Sequence, residues 1–485
     1  MSWWVFRRVV HSSYLIAILS VALVIGVVVS QYLPLGTMSS ITWLVTGLVL
    51  CGISFWRRKL YIIPLIVVGG CLVGAWRGSV HVEELRVLQS KIGHAVTVTG
   101  VVSDDIDTDT SGQSIIRLNQ LAIQGRSIAG TLWVSAATDA DIKRSDHITV
   151  IGKLGSGFGS FGATIYRAQV KNVVRPEPGD QARVFRDWFA GAIRTSMPDP
   201  EASLGIGYLV GQKRALPADL VEALKIVGLT HVVVASGYNL TILVRLARRL
   251  FMKISKYTAA LAASLMIASF VAITGLSPSM SRAGLVAGLS LAAWYYGRKF
   301  HPVVLLTFAA AVTVMINPAY MSGDLGWQLS FAAFGGVMIL APLLQRFFFG
   351  EKKPGLVRQI LGETTSALIV TAPILIGAFG QFSNVAIIAN LLVLPFVPFA
   401  MLFTFIAGIG ALVVPAWATI IGLPAQWLLG YMVQVAENLS HVSWAVTSVQ
   451  LPPIAIVACY VILVGVCLLL WRITKYDLRN ANVIE

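Results

Sequence analysis

The sequence predicts a polytopic α-helical membrane protein of about 11–13 transmembrane or re-entrant helices, with a small all-β barrel inserted near its start. Three observations predict it. Of 485 residues, 56% are hydrophobic and only 12% charged, where soluble domains carry roughly 25% charged residues. Apolar runs of membrane-spanning length recur before residue 80 and again after residue 216, and the mean hydropathy is +0.77. Between them, Glu83 to Asp180 is polar and alternates at period two. These features exclude an ordinary soluble enzyme, a disordered tail and a coiled coil. The excess of 37 Lys+Arg over 22 Asp+Glu, a net +15, fits either plain positive-inside topology or a protein that handles polyanions.

Position separates the two. Residues 1–79 hold six basic residues and no acid, residues 80–180 ten basic and eleven acidic, and residues 181–485 twenty-one and eleven. The N-terminal helices fill residues 1–80. Ser12–Ser30 follows Arg7 and Arg8 and is long enough for a retained anchor. Ile41–Phe55 and Leu60–Gly78 flank the cluster Trp56-Arg57-Arg58-Lys59. With that cluster and the N-terminus cytoplasmic, the third helix runs outward and the polar segment is extracytoplasmic.

That segment, 83–178, reads as five strands: Ala95–Ser103, Ser114–Gln124, Ile128–Ser135, His147–Leu154 and Thr164–Val174. Five short strands fit an OB-like barrel, with a small sandwich as the rival. An OB barrel binds nucleic-acid strands through basic and aromatic groups. Candidates are Arg117, Arg126, Trp133, Lys143, Arg144, Lys153 and Arg167, with Phe158 and Phe161. Near-neutral charge argues the other way, for merely solvated side chains. Gly157, Gly159 and Gly162 match GxGxxG but lie between strands, so they read as a loop.

Residues 180–215 are expected to form amphipathic interfacial helices, with Arg and aromatics at helical spacing across 183–194. Residues 216–475 form a polytopic membrane domain, with spans at 229–250, 257–276, 283–297, 302–317, 326–344, 362–380, 384–412, 416–438 and 452–471. Basic clusters mark the inner ends: Arg245 to Lys256; Arg298 and Lys299; Arg346, Lys352, Lys353 and Arg358; Arg472 and Lys475. This keeps both termini cytoplasmic. The span 384–412 is too long for one straight helix and contains Pro395 and Pro398, so a broken or re-entrant element is expected. The four Cys lie in apolar runs, and no metal or cofactor motif occurs.

Three polar patches interrupt the membrane domain: Gly228 to Thr241, Gly275 to Gly284, and Asn317 to Phe331. His231 through Asn239 resembles the "HLLAISGLH" signature of the ComEC-type competence family. Pro278-Ser279 with Arg282-Ala283 resembles its "PSVLRA" element, and Gly326 to Phe331 its "GFQLSF" element. Order and spacing agree, from about residue 200 to 450. The resemblance implies an inner-membrane channel for single-stranded DNA in natural transformation. It also implies an extracytoplasmic DNA receptor that hands over the strand. The sequence departs from the family at Tyr238-Asn239, where Leu-His is more usual. It also shows no HxHxDH motif, so it is read as a short form without the metallo-β-lactamase-like domain, and a separate nuclease is expected.

The expected channel-lining residues are His231, Ser236, Gly237, Asn239, Ser279, Arg282, Asp324, Gln328 and Ser330. A charge at mid-bilayer costs roughly 2.5–3.5 kcal/mol, so Arg282 and Asp324 are expected to line water, with Arg282 meeting phosphate. The rival readings are a snorkelling Arg, a solvated loop Asp, and helix packing through Ser236-Gly237. Ser236 with His231 also permits, remotely, an intramembrane serine protease; otherwise no enzyme is expected. No Walker-A pattern occurs. Importing phosphate against an inside-negative potential costs roughly 2.3 kcal/mol per charge per 100 mV, so a cytoplasmic ATPase or ssDNA-binding protein is expected to drive import. The alternative function is transport of another anionic or lipid-linked solute.

Overall fold

The computed structural model describes residues 9–32, 38–108, 112–212, 216–233, 236–275, 277–298, 301–352 and 354–476. Arg7, Arg8, Lys299 and Lys353 lie outside the described residues. In chain order, helices α1 (Ser12–Tyr32), α2 (Ile41–Arg57) and α3 (Ile63–Gln89) lead into strands β1 (Ala95–Val102), β2 (Asp107–Thr108), β3 (Ser114–Ile123), β4 (Arg126–Ile128), β5 (Leu132–Ala136), β6 (His147–Ser156), β7 (Ala163–Ile165) and β8 (Gln169–Val174). Then follow α4 (Gln181–Ser196), α5 (Glu201–Val210), α6 (Ala218–Ile226), α7 (Thr230–Val233), α8 (Gly237–Phe251), α9 (Lys256–Thr274), α10 (Pro278–Tyr295), α11 (Pro302–Ile316), α12 (Ala319–Gly323) and α13 (Leu325–Gly335). A π-helical turn, Gly336–Leu340, joins α13 to α14 (Ala341–Phe349). The chain closes with α15 (Leu356–Phe379), β9 (Gln381–Ser383), α16 (Ala386–Val393), α17 (Val397–Val413), α18 (Ala418–Ser440), β10 (Val446–Ser448) and α19 (Pro453–Thr474).

Among the described residues eight helical stretches are long and apolar enough to cross a membrane, and α2 and α11 are shorter apolar helices. The protein is a multi-pass membrane protein. The expected span 229–250 is not one helix: α7 is a single turn, and α8 begins afresh at Gly237. Gly228 before it has φ +73, which punctuates the chain. The long span 384–412 is broken as expected, by a 3-10 turn at Leu394–Phe396 carrying Pro395.

The chain divides into two compact units. The first holds residues 1–180 and 303–328. Its membrane helices pack through small residues. A Cβ on Gly74 would collide with the Leu23 carbonyl, and one on Gly26 with the Cys71 carbonyl, so α1 and α3 touch backbone to backbone as small-residue interfaces allow. Above them five strands close into a ring, β1-β3-β5-β7-β6-β1, with β5–β7 parallel and the other pairs antiparallel. Alternate side chains such as Ile116, Leu118, Val134 and Ile148 fill its interior. Two of the expected strands are each two pieces. The third breaks at Gly130 (φ +121), leaving β4 as a hairpin on β3. The fifth breaks at Arg167 (φ +53), giving β7 and β8.

The second unit holds residues 181–302 and 329–485. Its core joins α4, α5, α16, α17 and α18. Helix α5 is buried on nearly every side, although the sequence assigned 180–215 to the membrane interface. Helix α4 buries Arg183 and Arg186 while exposing Val184, Phe185 and Trp188, the reverse of a soluble amphipathic helix and the arrangement of one lying against lipid. A smaller cluster holds α8, α9 and α10 together around Leu240, Val244 and Phe270.

Replacing Gly74 by Leu is expected to prevent α1–α3 packing and reduce folded protein in mild detergent, an overpacking cost of at least about 1–3 kcal/mol. Gly52→Ala, which meets open space, is the matched control. Monodisperse yield by size-exclusion chromatography measures both.

Candidate functional site

Helix α10 starts cleanly because Ser277 accepts from the Met280 N–H and Pro278 occupies its first turn. This places Ser279 and Arg282 near the helix N-terminus. Helix α8 starts at Gly237, and a Cβ there would lie 3.2 Å from the Ala283 Cβ and 3.5 Å from Arg282 Nη2. At Gly237 the first patch thus lies in van der Waals reach of the guanidinium of the second. The third patch joins them through α13: Ser330 Oγ lies 3.4 Å from Ser279 Oγ. The rings of Phe331 and Phe334 each stand 5.7 Å from Arg282 Cζ. Arg282 is only 8% exposed. Among the described residues no carboxylate pairs with it, and its Nε has no hydrogen-bond partner. Gly237, Ser279, Arg282 and Ser330 therefore form one cluster, and Phe334 is a member that sequence reasoning missed. Its spacing of three from Phe331 on a helix was the available signal.

The other expected lining residues are engaged elsewhere. Asn239 is fully buried and donates from Nδ2 to the Tyr208 carbonyl at 3.1 Å, clamping α8 to α5. Ser236 Oγ lies 3.4 Å from Asn239 Oδ1. His231 is exposed on α7, and among the described residues no imidazole bonds Ser236. Asp324 caps α13, its Oδ1 accepting from the Trp327 N–H at 2.6 Å, and its Oδ2 accepts from Ser160 of the barrel at 3.3 Å. The loop carrying Ser160 sits so close to α12 that a Cβ on Gly323 would strike the Gly159 carbonyl. Gln328 donates to the Met321 carbonyl at 2.9 Å.

On the barrel, several basic candidates are held by acids. Arg117 pairs with Asp107 at 2.5 Å, Lys143 with Asp141 at 3.2 Å, and Arg144 with Asp180 at 2.7 Å. Buried Asp146 takes a two-pronged bond from Arg175, at 3.0 and 2.9 Å, and the Lys143 N–H. The Asp146 contact raises Arg175 above the ordinary arginine pKa. Arg126, Lys153 and Arg167 are exposed. Arg167 follows Tyr166, whose ring lies 5.2 Å from Trp133, and Phe158 lies 5.6 Å from the same indole. Phe158 and Tyr166 are 48% and 63% exposed, so the barrel carries an open aromatic platform with one arginine beside it. Tyr166 was not singled out in the sequence because it falls inside what read as a continuous strand.

A polytopic helical membrane domain with an inserted β-barrel and a buried cation beside polar motifs defines a multi-pass membrane protein. Residues 208–474 match the family model described as Competence protein. The chain belongs to that family, the ComEC-type competence proteins. It is 25% identical over 295 residues to ComE operon protein 3 of Bacillus subtilis (strain 168). The match covers 59% of this chain and 36% of the relative, so it spans about a third of that protein's length. No solved structure matches the chain.

Asn239→Leu is expected to orphan the buried Tyr208 carbonyl and lower stability by about 1–3 kcal/mol. Arg175→Ala, which removes the two-pronged bond to buried Asp146, is expected to destabilise the barrel by a similar amount, about 1–3 kcal/mol. Thermal unfolding of the purified chain, followed by tryptophan fluorescence, measures each.

Proposed function

We propose that the protein is a channel that passes single-stranded DNA into the cytoplasm during natural transformation. The observation that carries this reading is Arg282. It is a buried guanidinium with no carboxylate partner among the described residues, bordered by two phenyl rings, one of them beside the Ser279–Ser330 hydroxyl pair in sequence. The start of α8 at Gly237 lies beside it, and Arg282 itself stands near the start of α10; helix N-termini favour anions. Such a setting suits one phosphodiester at a time, as in membrane sites built from half-helix N-termini. The hydroxyls of Ser279 and Ser330 supply donors to phosphate oxygens. The phenyl rings exclude water and hold the guanidinium in place.

The barrel fits the same substrate. Taking β1, β3, β5, β6 and β7 as five strands, the ring order is 1-2-3-5-4, which supports an OB-like barrel. Trp133, Phe158 and Tyr166 offer faces for base stacking, and Arg167 a phosphate contact. In this reading the barrel is extracytoplasmic, both termini are cytoplasmic, and a receptor delivers the strand to it. A cytoplasmic ATPase or ssDNA-binding protein supplies the work, because the chain has no nucleotide-binding loop to do so. The chain's role is transport rather than catalysis.

Transformation of the native host tests the channel. Arg282→Ala, accumulating normally in the membrane, is expected to lower transformant yield roughly tenfold to a hundredfold, the worth of a charge-assisted hydrogen bond; Arg282→Lys is expected to retain part of it. Unchanged transformation would sink the proposal, and arrested growth would point instead to an essential anionic or lipid-linked solute. Separately, Trp133→Ala and Tyr166→Ala are expected to weaken binding of an oligothymidylate to the purified chain by roughly 1–3 kcal/mol per lost stack, read by fluorescence anisotropy.

A further inference from the structure

At the end of the three-helix cluster opposite Arg282, α8 finishes, α9 begins and α10 finishes. From residue 223 to residue 323 the sequence contains no Asp or Glu, and its basic residues gather here. The Arg248 guanidinium lies 4.2 Å from the Trp294 ring centroid. Lys256 Nζ lies 5.6 Å from the same ring and 5.6 Å from Tyr295. One indole thus organises two cations delivered by two different helices. Arg249 and Lys253 are exposed on the intervening turn. Arg245, one turn deeper, is electrostatically coupled to Glu363 of α15, so acid reaches the inner edge of the cluster.

The same tip is apolar where it is most exposed. Ile254 is 71% exposed, Tyr257 65% and Tyr296 74%, and Phe251 and Met252 are also open. Aromatic and aliphatic side chains interleaved with Arg and Lys at helix ends are the composition of a membrane–water boundary. Cations pre-placed on aromatic faces there are suited to a phosphodiester headgroup. We infer that the α8–α9–α10 tip is a binding site for an anionic phospholipid. Arg248 and Lys256 hold the phosphodiester against Trp294, and Ile254 and Tyr257 enter the acyl region. A nucleic-acid strand shares the phosphodiester but makes no use of the exposed Ile254 and Met252, so the lipid is favoured. The inference does not depend on the channel reading.

The test uses the full chain purified in detergent and given phosphatidylglycerol, phosphatidylcholine, inorganic phosphate or an oligothymidylate in parallel. Native mass spectrometry counts bound lipid, and thermal unfolding reads stabilisation. The expected result is retention of phosphatidylglycerol over phosphatidylcholine, with a rise in unfolding temperature. That preference should fall at least about fivefold, near 1 kcal/mol, in Arg248→Gln/Lys256→Gln. Lys256→Gln alone, at an exposed position, carries the test if the double variant does not accumulate. Arg126→Gln on the barrel should leave the preference unchanged. Equal retention of the two lipids, or equal retention by wild type and Lys256→Gln, overturns the inference. So does protection by inorganic phosphate equal to that by phosphatidylglycerol, which would make the site one for free phosphate. Loss of oligothymidylate binding in Lys256→Gln with phosphatidylglycerol retention intact would overturn it in favour of nucleic acid.

Discussion

Everything distinctive in the second unit is arranged around an uncompensated buried charge. A guanidinium inside an apolar bundle normally brings a carboxylate with it, because the desolvation cost is otherwise several kcal/mol. Among the described residues Arg282 has instead two phenyl rings and the start of α8 at Gly237. Gly237 brings the start of α8 against Ala283 and Arg282, and α7 must end before it for α8 to present a fresh N-terminus. Asn239 must be polar to lock that fresh start onto α5 through the Tyr208 carbonyl. The first patch is therefore a device for holding a broken helix in register, and the second supplies the charge that the break exposes.

The first unit solves a different problem by close contact. Gly26 and Gly74 bring α1 and α3 to backbone distance, and Gly323 does the same for α12 and the barrel loop at Gly159. Asp324 then serves two masters, the α13 N-terminus and Ser160. The barrel is consequently tied to the membrane helices at both its chain entry, through α3, and this loop. The aromatic platform of Trp133, Phe158 and Tyr166 shares its loop with that tie, since Phe158 and Ser160 are two residues apart.

Legibility in the sequence followed the strength of the local signal. The barrel strands show clean alternation, so four of the five expected starts fall within one residue of the observed strands; the splits at Gly130 and Arg167 depend on backbone turns that alternation does not register. The α7–α8 break was hidden because His231-Val-Val-Val reads as continuous apolar sequence. The convergence of the three patches was legible from topology. The diversion of Asn239, Asp324 and Gln328 to backbone groups was not, because their partners are set by packing rather than by spacing. The acids that hold Arg117 and Arg144 were foreshadowed only by the barrel's balanced charge. Asp180 is 36 residues from Arg144, and nothing in the pattern pairs them.

The same residue type has opposite standing at the two ends of α8 and α10. Arg248 and Arg249 occupy the last turn of α8, where the helix dipole favours a cation. That placement is favourable for both, and the Trp294 ring adds a cation–π contact to Arg248. Arg282 lies near the start of α10, about 18 Å from Trp294 along the axis at 1.5 Å per residue, where the dipole disfavours a cation. Burial disfavours it again, and the absence of acid from residue 223 to residue 323 removes the nearest relief. Three unfavourable terms fall on one side chain and its packing contacts are too modest to offset them. An anion beside the α8 N-terminus would add the opposite charge that the described residues lack, an attraction set against all three. In the proposed channel, that charge is a phosphate of the passing strand, and the cluster is one half of an ion pair.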